Sequence, residues 1–205
     1  MRKAAALGHL KAIEKIKEWE AKKAKKEPMQ DTMELETLSD LALYMRGEEG
    51  DIQAALLFAK RSEHNKDKAM DAVRLLQRFI LDDSADEESL GELNYRLGEA
   101  YRLGCGVDVD AKKAFEYYSN AAEMKDHKAY ARLADCYEKG IGTSKDMEKA
   151  LYYRERLANT GTVQAIYDIA CRYYEGKGVS QNTMKALLWF QKGMQSEQTE
   201  NIRCV

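Results

Sequence analysis

With 205 residues, the chain is long enough for one domain with a sizeable core or for a short array of repeats. A net charge of −2 gives no global pull toward nucleic acid or an anionic membrane, and 44% hydrophobic with 33% charged residues describes a chain rich in exposed helix. The start, MRKAAALGHLKAIEKIK, has no apolar core long enough for a signal peptide, and no run of about eighteen apolar residues follows, so membrane insertion is not expected and the cytoplasm is the expected location.

In chain order, Lys3 to Ile13 (KAAALGHLKAI) aligns with Asn120 to Tyr130 (NAAEMKDHKAY), so the sequence opens as if inside a repeat. Residues 1–26 carry nine basic side chains against Glu14, Glu18 and Glu20, a local excess of six positive charges. The interspersed glutamates suit a solvated helix face with internal ion pairs better than an RNA or membrane contact. An irregular stretch, 22–32, contains the only proline, Pro28. A helix is predicted over 33–46, a turn at 47–50, and a repeat junction over 50–70 that aligns with Asp110 to Tyr130. The helix of 67–81 then reads as the first of a pair, and after the acidic break DDSADEES (82–89) the helix of 89–103 reads as another first helix. Two first helices in succession predict an extra helix or a change of direction near 82–92.

From Gly104 onward the sequence starts over. Gly104-Cys105-Gly106 returns as Gly140-Ile141-Gly142 and again as Gly176-Lys177-Gly178, each 36 residues on. Leu97, Leu133 and Ile169 keep step upstream, as do Gly98, Ala134 and Ala170, then Tyr101, Tyr137 and Tyr173. Downstream, Ala114, Ala150 and Ala186 correspond, followed by Tyr117, Tyr153 and Trp189. Leu93, Leu97 and Tyr101 fall on one face of a helix; Ala114, Tyr118 and Ala121 mark a second. Between them, a glycine able to take positive φ ends one helix and Asp110 caps the next. One such hairpin cannot bury both stripes alone, so successive hairpins must stack.

At LNYRLGEAYRLGCGVDVDAKKAFEYYSNAA and AIYDIACRYYEGKGVSQNTMKALLWFQKG the sequence resembles the Sel1-like repeat family, a relative of tetratricopeptide repeats. Thr143 replaces the family's valine, Asn182 its aspartate, and Gly193 stands near its second alanine. The resemblance implies an all-α, right-handed α/α solenoid of stacked helical hairpins, with about ten helices and no strand. The chain then divides into a repeat remnant with a basic helix (1–30), divergent N-terminal helical repeats (31–82), an acidic linker (83–89), three Sel1-like repeats (90–195) and a C-terminal tail (196–205).

Chemistry is thin. His9, His64 and His127 fall near turns between repeats, and no cysteine has a histidine at a fixed local spacing that would activate a thiolate. The glycine pairs lack the preceding strand and the G-K-[ST] ending of a phosphate loop. The four cysteines form no C-x-x-C pair. No catalytic, cofactor or metal residue is therefore assigned, and no enzyme activity or nucleic-acid binding is expected. The expected function is a scaffold that binds a partner protein or peptide on its concave surface. The alternative is a ligand-binding or hydrolytic module like the family's cysteine-rich secreted branch, whose repeats are stapled by disulfides. At 100° per residue, the face of each first helix opposite the core stripe carries Tyr95, Glu99 and Arg102, then Ala131, Asp135 and Glu138, then Tyr167, Cys171 and Tyr174. Related solenoids line their concave surface with first helices, so these nine residues are the expected partner-binding strip, its acids drawing basic groups of the partner.

Overall fold

A computed structural model of the chain describes residues 35–203 apart from 64, 83 and 84, with the backbone alone for 66 and 197–203. The expectations on residues 1–34, and on His64 and Cys204, lie outside the described residues. The described residues fall into two compact units that divide between Phe58 and Ala59, within the second helix. In the first, α1 (Asp40–Glu48) is capped by the Ser39 hydroxyl, and Arg46 pairs with Asp51 across the turn to α2 (Ile52–Ser62). Tyr44 meets Phe58 with ring centroids 5.4 Å apart.

The second unit continues with α3 (Lys66–Leu81), α4 (Glu87–Leu103), α5 (Ala111–Glu123), α6 (His127–Lys139), α7 (Met147–Asn159), α8 (Val163–Glu175) and α9 (Thr183–Arg203). No strand occurs among the described residues. Three hairpins, α4/α5, α6/α7 and α8/α9, repeat one another down to single hydrogen bonds. Each first helix ends at a left-handed glycine, Gly104, Gly140 or Gly176, with φ of 74°, 73° and 75°. The amides of Asp110, Asp146 and Asn182 then donate to the carbonyls of Tyr101, Tyr137 and Tyr173 at 3.0, 2.8 and 2.8 Å. Asp110 and Asp146 cap α5 and α7, and Asn182 does the same for α9 by accepting from the Lys185 amide, which is why asparagine serves where the pattern has aspartate.

The core follows the 36-residue register: Leu93, Leu97, Leu133, Ile166 and Ile169 are fully buried. Lys113, Lys149 and Lys185 lie over Tyr101, Tyr137 and Tyr173 at 5.2, 5.3 and 5.0 Å, the same cation–π clip three times. Gly98 stands where the later repeats have alanine because a Cβ there would sit 2.5 Å from the Tyr118 ring.

The junction at 82–92 differs from expectation. Only residues 82–86 separate α3 from α4, too few for another helix, and α4 begins at Glu87, capped by Asp86, within the acidic stretch. The helix α3 takes the part of a second helix. A Cβ on Gly106 would overlap the backbone of Ala69 and Met70 in α3, just as one on Gly142 would overlap the carbonyl of Ala111 in α5. Gln77 of α3 also reaches the Tyr101 hydroxyl of α4. Alternation is therefore kept. The clue lies in cap spacing. Asn65 caps α3 four residues before Ala69, the interval from Asp110 to Ala114 in a second helix, whereas Asp126 precedes Ala129 in a first helix by three.

Candidate functional site

The first helices α4, α6 and α8 carry the nine strip residues one repeat apart. Their environments differ. Tyr95 and Tyr167 are half-buried: the Tyr95 ring lies 6.0 Å from Tyr118, and Tyr167 lies 6.1 Å from Phe190 and over Gly193. A Cβ at Gly193 would come within 3.0 Å of the Tyr167 ring, which accounts for glycine at that place. Both tyrosines pack on the second helix of their own repeat. Ala131 is half-buried, while Cys171 and Tyr174 are exposed, Tyr174 by 56%.

The charged members of the strip are already paired. Glu99, only 12% exposed at its side chain, accepts from the Tyr118 hydroxyl at 2.6 Å, from Arg102 at 2.6 Å and from Arg132 of the next first helix at 2.8 Å. One repeat further, Arg154 of α7 donates to Asp135 at 2.9 Å, Glu138 at 2.6 Å and Asp168 of α8 at 3.2 Å. Arg172 joins Glu138 and Asp168, each at 3.1 Å. Asp135 keeps 42% of its side chain in water. The first cluster, Glu99 with Arg102 and Arg132, carries an excess positive charge; the second, three carboxylates with two arginines, an excess negative one. Arg132, Arg154, Asp168 and Arg172 were missed from sequence. Arg154 holds the repeat position of Tyr118 and Phe190, and a charge at an aromatic position was the available signal.

Burial opposes ionisation of Glu99, Glu138 and Glu92, yet the hydrogen bonds and charges of their partners (Arg102, Tyr118 and Arg132; Arg154 and Arg172; Lys128 and Arg96) outweigh it and hold all three below the ordinary carboxylate range. A depressed folded pKa adds stability that is present above the unfolded value and lost as pH falls through the folded one. The melting temperature, followed by circular dichroism, should therefore stay level from neutral pH down to about 5 and fall steeply below about 4.3. A flat profile to pH 3 would mean that these pairs contribute nothing.

Cys105, Cys136 and Cys171 are free thiols, and burial pushes Cys105 and Cys136 up, away from the thiolate. His127 lies against Tyr130, 5.8 Å between centroids. No group of three or more His, Cys, Asp or Glu able to hold a metal occurs among the described residues. A cavity between α3 and α4, lined by Ala72, Val73, Ala100, Leu103 and Cys105, measures about 30 Å³, room for a single water. No helix among the described residues is long and apolar enough to cross a membrane.

The Sel1 repeat family model matches residues 92–126, 127–160 and 163–193, the three hairpins just described. The chain carries three Sel1 repeats. Similar solved structures agree on the fold. A protective antigen of uropathogenic Escherichia coli strains displaying an SLR fold has a TM-score of 0.63 and 23% identity over 77% of this chain. A Sel1 repeat protein from Oxalobacter formigenes has a TM-score of 0.61, also at 23% identity over 77%. This chain covers 33% of the length of the first and 65% of the second. Cysteine-rich protein B of Helicobacter pylori shares 25% identity over 60% of this chain and 90% of its own, with a TM-score of 0.43. No curated protein matches significantly. The α/α solenoid expected from the register is thus the fold of these Sel1 repeats, a class that generally mediates protein–protein interaction and is generally a non-catalytic scaffold.

Proposed function

We propose that this Sel1-repeat protein is a non-enzymatic cytoplasmic adaptor that holds a segment of a partner protein along the strip of α4, α6 and α8. The observation that carries the reading is the in-phase ladder of ion pairs, which fixes charged groups in place before any partner arrives. Because Glu99 and Glu138 are spent on arginines, the partner meets charge clusters and not free acids. Its acidic groups belong opposite Arg102 and Arg132, its basic groups opposite Asp135 and Asp168, with Tyr174 and Cys171 exposed at the end of the row. The free thiols of Cys105, Cys136 and Cys171 support a reducing compartment over the disulfide-stapled alternative.

The test is capture of partners by the tagged chain, compared with Tyr174→Ala and Asp135→Asn. Each variant should weaken binding of the captured partner about tenfold or more, as substitutions at binding hot spots do, with a melting temperature close to that of the parent. Tyr95→Ala and Tyr167→Ala are poorer probes, since both rings pack within their own repeat. If both clean variants bind as the parent does, the strip is not the binding surface.

A further inference from the structure

The last helix is apolar on two sides. Toward the core, α9 presents Ala186 and Gly193, both buried, with Trp189 and Phe190 packed beside them. On the opposite side Met184, Leu187, Leu188 and Met194 share one sector about 120° wide at 100° per residue with Gln191 and Gln195. All four apolar members are more than half exposed. None of the six is charged.

Comparison with α5 and α7 shows what this stripe replaces. Leu187 and Met194 fill positions that the next repeat covers elsewhere: Phe115 meets Tyr137 of α6 edge-on at 5.3 Å, and Ala122 and Ala158 are buried. Met184, Leu188 and Gln191 fill positions held by Lys112, Glu116 and Ser119 in α5 and by Glu148, Tyr152 and Glu155 in α7. A helix that merely capped the stack would gain polar residues there. Instead α9 carries Met184 and Leu188 where α5 has Lys112 and Glu116, and the uncharged Gln191 where α7 has Glu155, so its stripe extends past the positions that the next repeat covers in α5 and α7.

We propose that α9 pairs with α9 of a second copy of this chain about a two-fold axis, through Met184, Leu187, Leu188 and Met194. Charge decides for a second copy over an unrelated helix. A two-fold axis sets each residue against the same surface, so any charge in the stripe would meet its own kind. The stripe has none. Its neighbouring cations are turned to the body, Lys185 over Tyr173 at 5.0 Å and Lys192 over Trp189 at 4.7 Å. An unrelated partner would be specified by complementary charges, and the stripe offers none. Full burial of the four side chains on both copies would cover on the order of 1,000 Å², the low edge of specific interfaces, so a weak, micromolar affinity is the expected result.

Sedimentation velocity of the full chain across about 1–200 μM brackets that affinity. The mass should rise with concentration from 23.4 kDa toward twice that value. Leu188→Glu should keep the protein monomeric throughout with unchanged helicity and melting temperature, because the side chain it alters is exposed. Leu81→Glu, at an exposed leucine of α3, should dimerise like the parent. A parent that stays monomeric at the top concentration overturns the proposal, as does a Leu188→Glu variant that dimerises normally. Cross-links joining residues 1–34 to α9 within a monomer would assign the stripe to the chain's own N-terminal segment and overturn it equally.

Discussion

Replacing Gly142 with alanine should destabilise the protein by about 2–5 kcal/mol, measured by denaturant unfolding. Two costs add. The residue sits at φ +71°, where a Cβ crowds its own backbone at about 1–2 kcal/mol. The larger cost is external. The new methyl would overlap the Ala111 carbonyl oxygen and stand 2.9 Å from the Phe115 Cβ, both on helix α5 of the preceding repeat. Neither is the flexible end of a side chain, so the two hairpins must part to admit it. Gly140 serves as the control. Its φ is +73°, but the nearest atom to an added Cβ is 3.5 Å away, so Gly140→Ala should cost only the conformational term, about 1–2 kcal/mol. Equal effects at the two glycines would mean that the close approach between repeats is not what selects the second glycine of the pair.

That contrast marks how far the sequence could be read. Spacing alone gave the hairpins, their left-handed glycine ends and their caps, because those features are local and recur at 36 residues. Spacing also separates Gly140 from Gly142 only as members of a motif; that one ends a helix and the other admits a neighbouring backbone is a fact of stacking. The placement of α3 failed for a related reason. A cap followed by lysine and alanine opens both kinds of helix, and the one-residue difference between Asn65 to Ala69 and Asp126 to Ala129 was hidden inside an alignment that matched whole junctions.

The binding strip shows a different limit. Taking the face opposite Leu97 as solvent assumes a helix packed on one side. In a stacked hairpin the own second helix also leans on that face, so Tyr118 and Phe190 half-bury Tyr95 and Tyr167. Charge pairing across repeats was equally out of reach, since Glu138 and Arg172 are 34 residues apart in sequence. The apolar outer stripe of α9 was present in the sequence as Met184, Leu187, Leu188 and Met194, but its meaning needs the buried positions of α5 and α7 for comparison.

Arg154→Ala should cost about 2–3 kcal/mol, the second large effect expected. Breaking a buried ion pair by removing one partner costs roughly 3–5 kcal/mol because the other charge is stranded. Here the value falls below that range for two structural reasons. Asp135 and Asp168 keep 42% and 40% of their side chains in water, and Glu138 and Asp168 retain Arg172. What remains is substantial, since the arginine is only 17% exposed and joins Asp135 to α8 through Asp168. Arg154→Met separates packing from charge. It preserves much of the buried stem, so any recovery relative to alanine measures the apolar contact and the residue measures the ion pairs. The two variants should also move Glu138, whose carboxyl loses one of two arginines and must titrate higher. The acid limb of the stability profile should then be shallower and end at a higher pH in both. If Arg154→Met were as stable as the parent with an unshifted acid limb, the ion-pair ladder would be a bystander to the stacking of α6, α7 and α8, and the fixed charges offered to a partner would be set by side-chain packing alone.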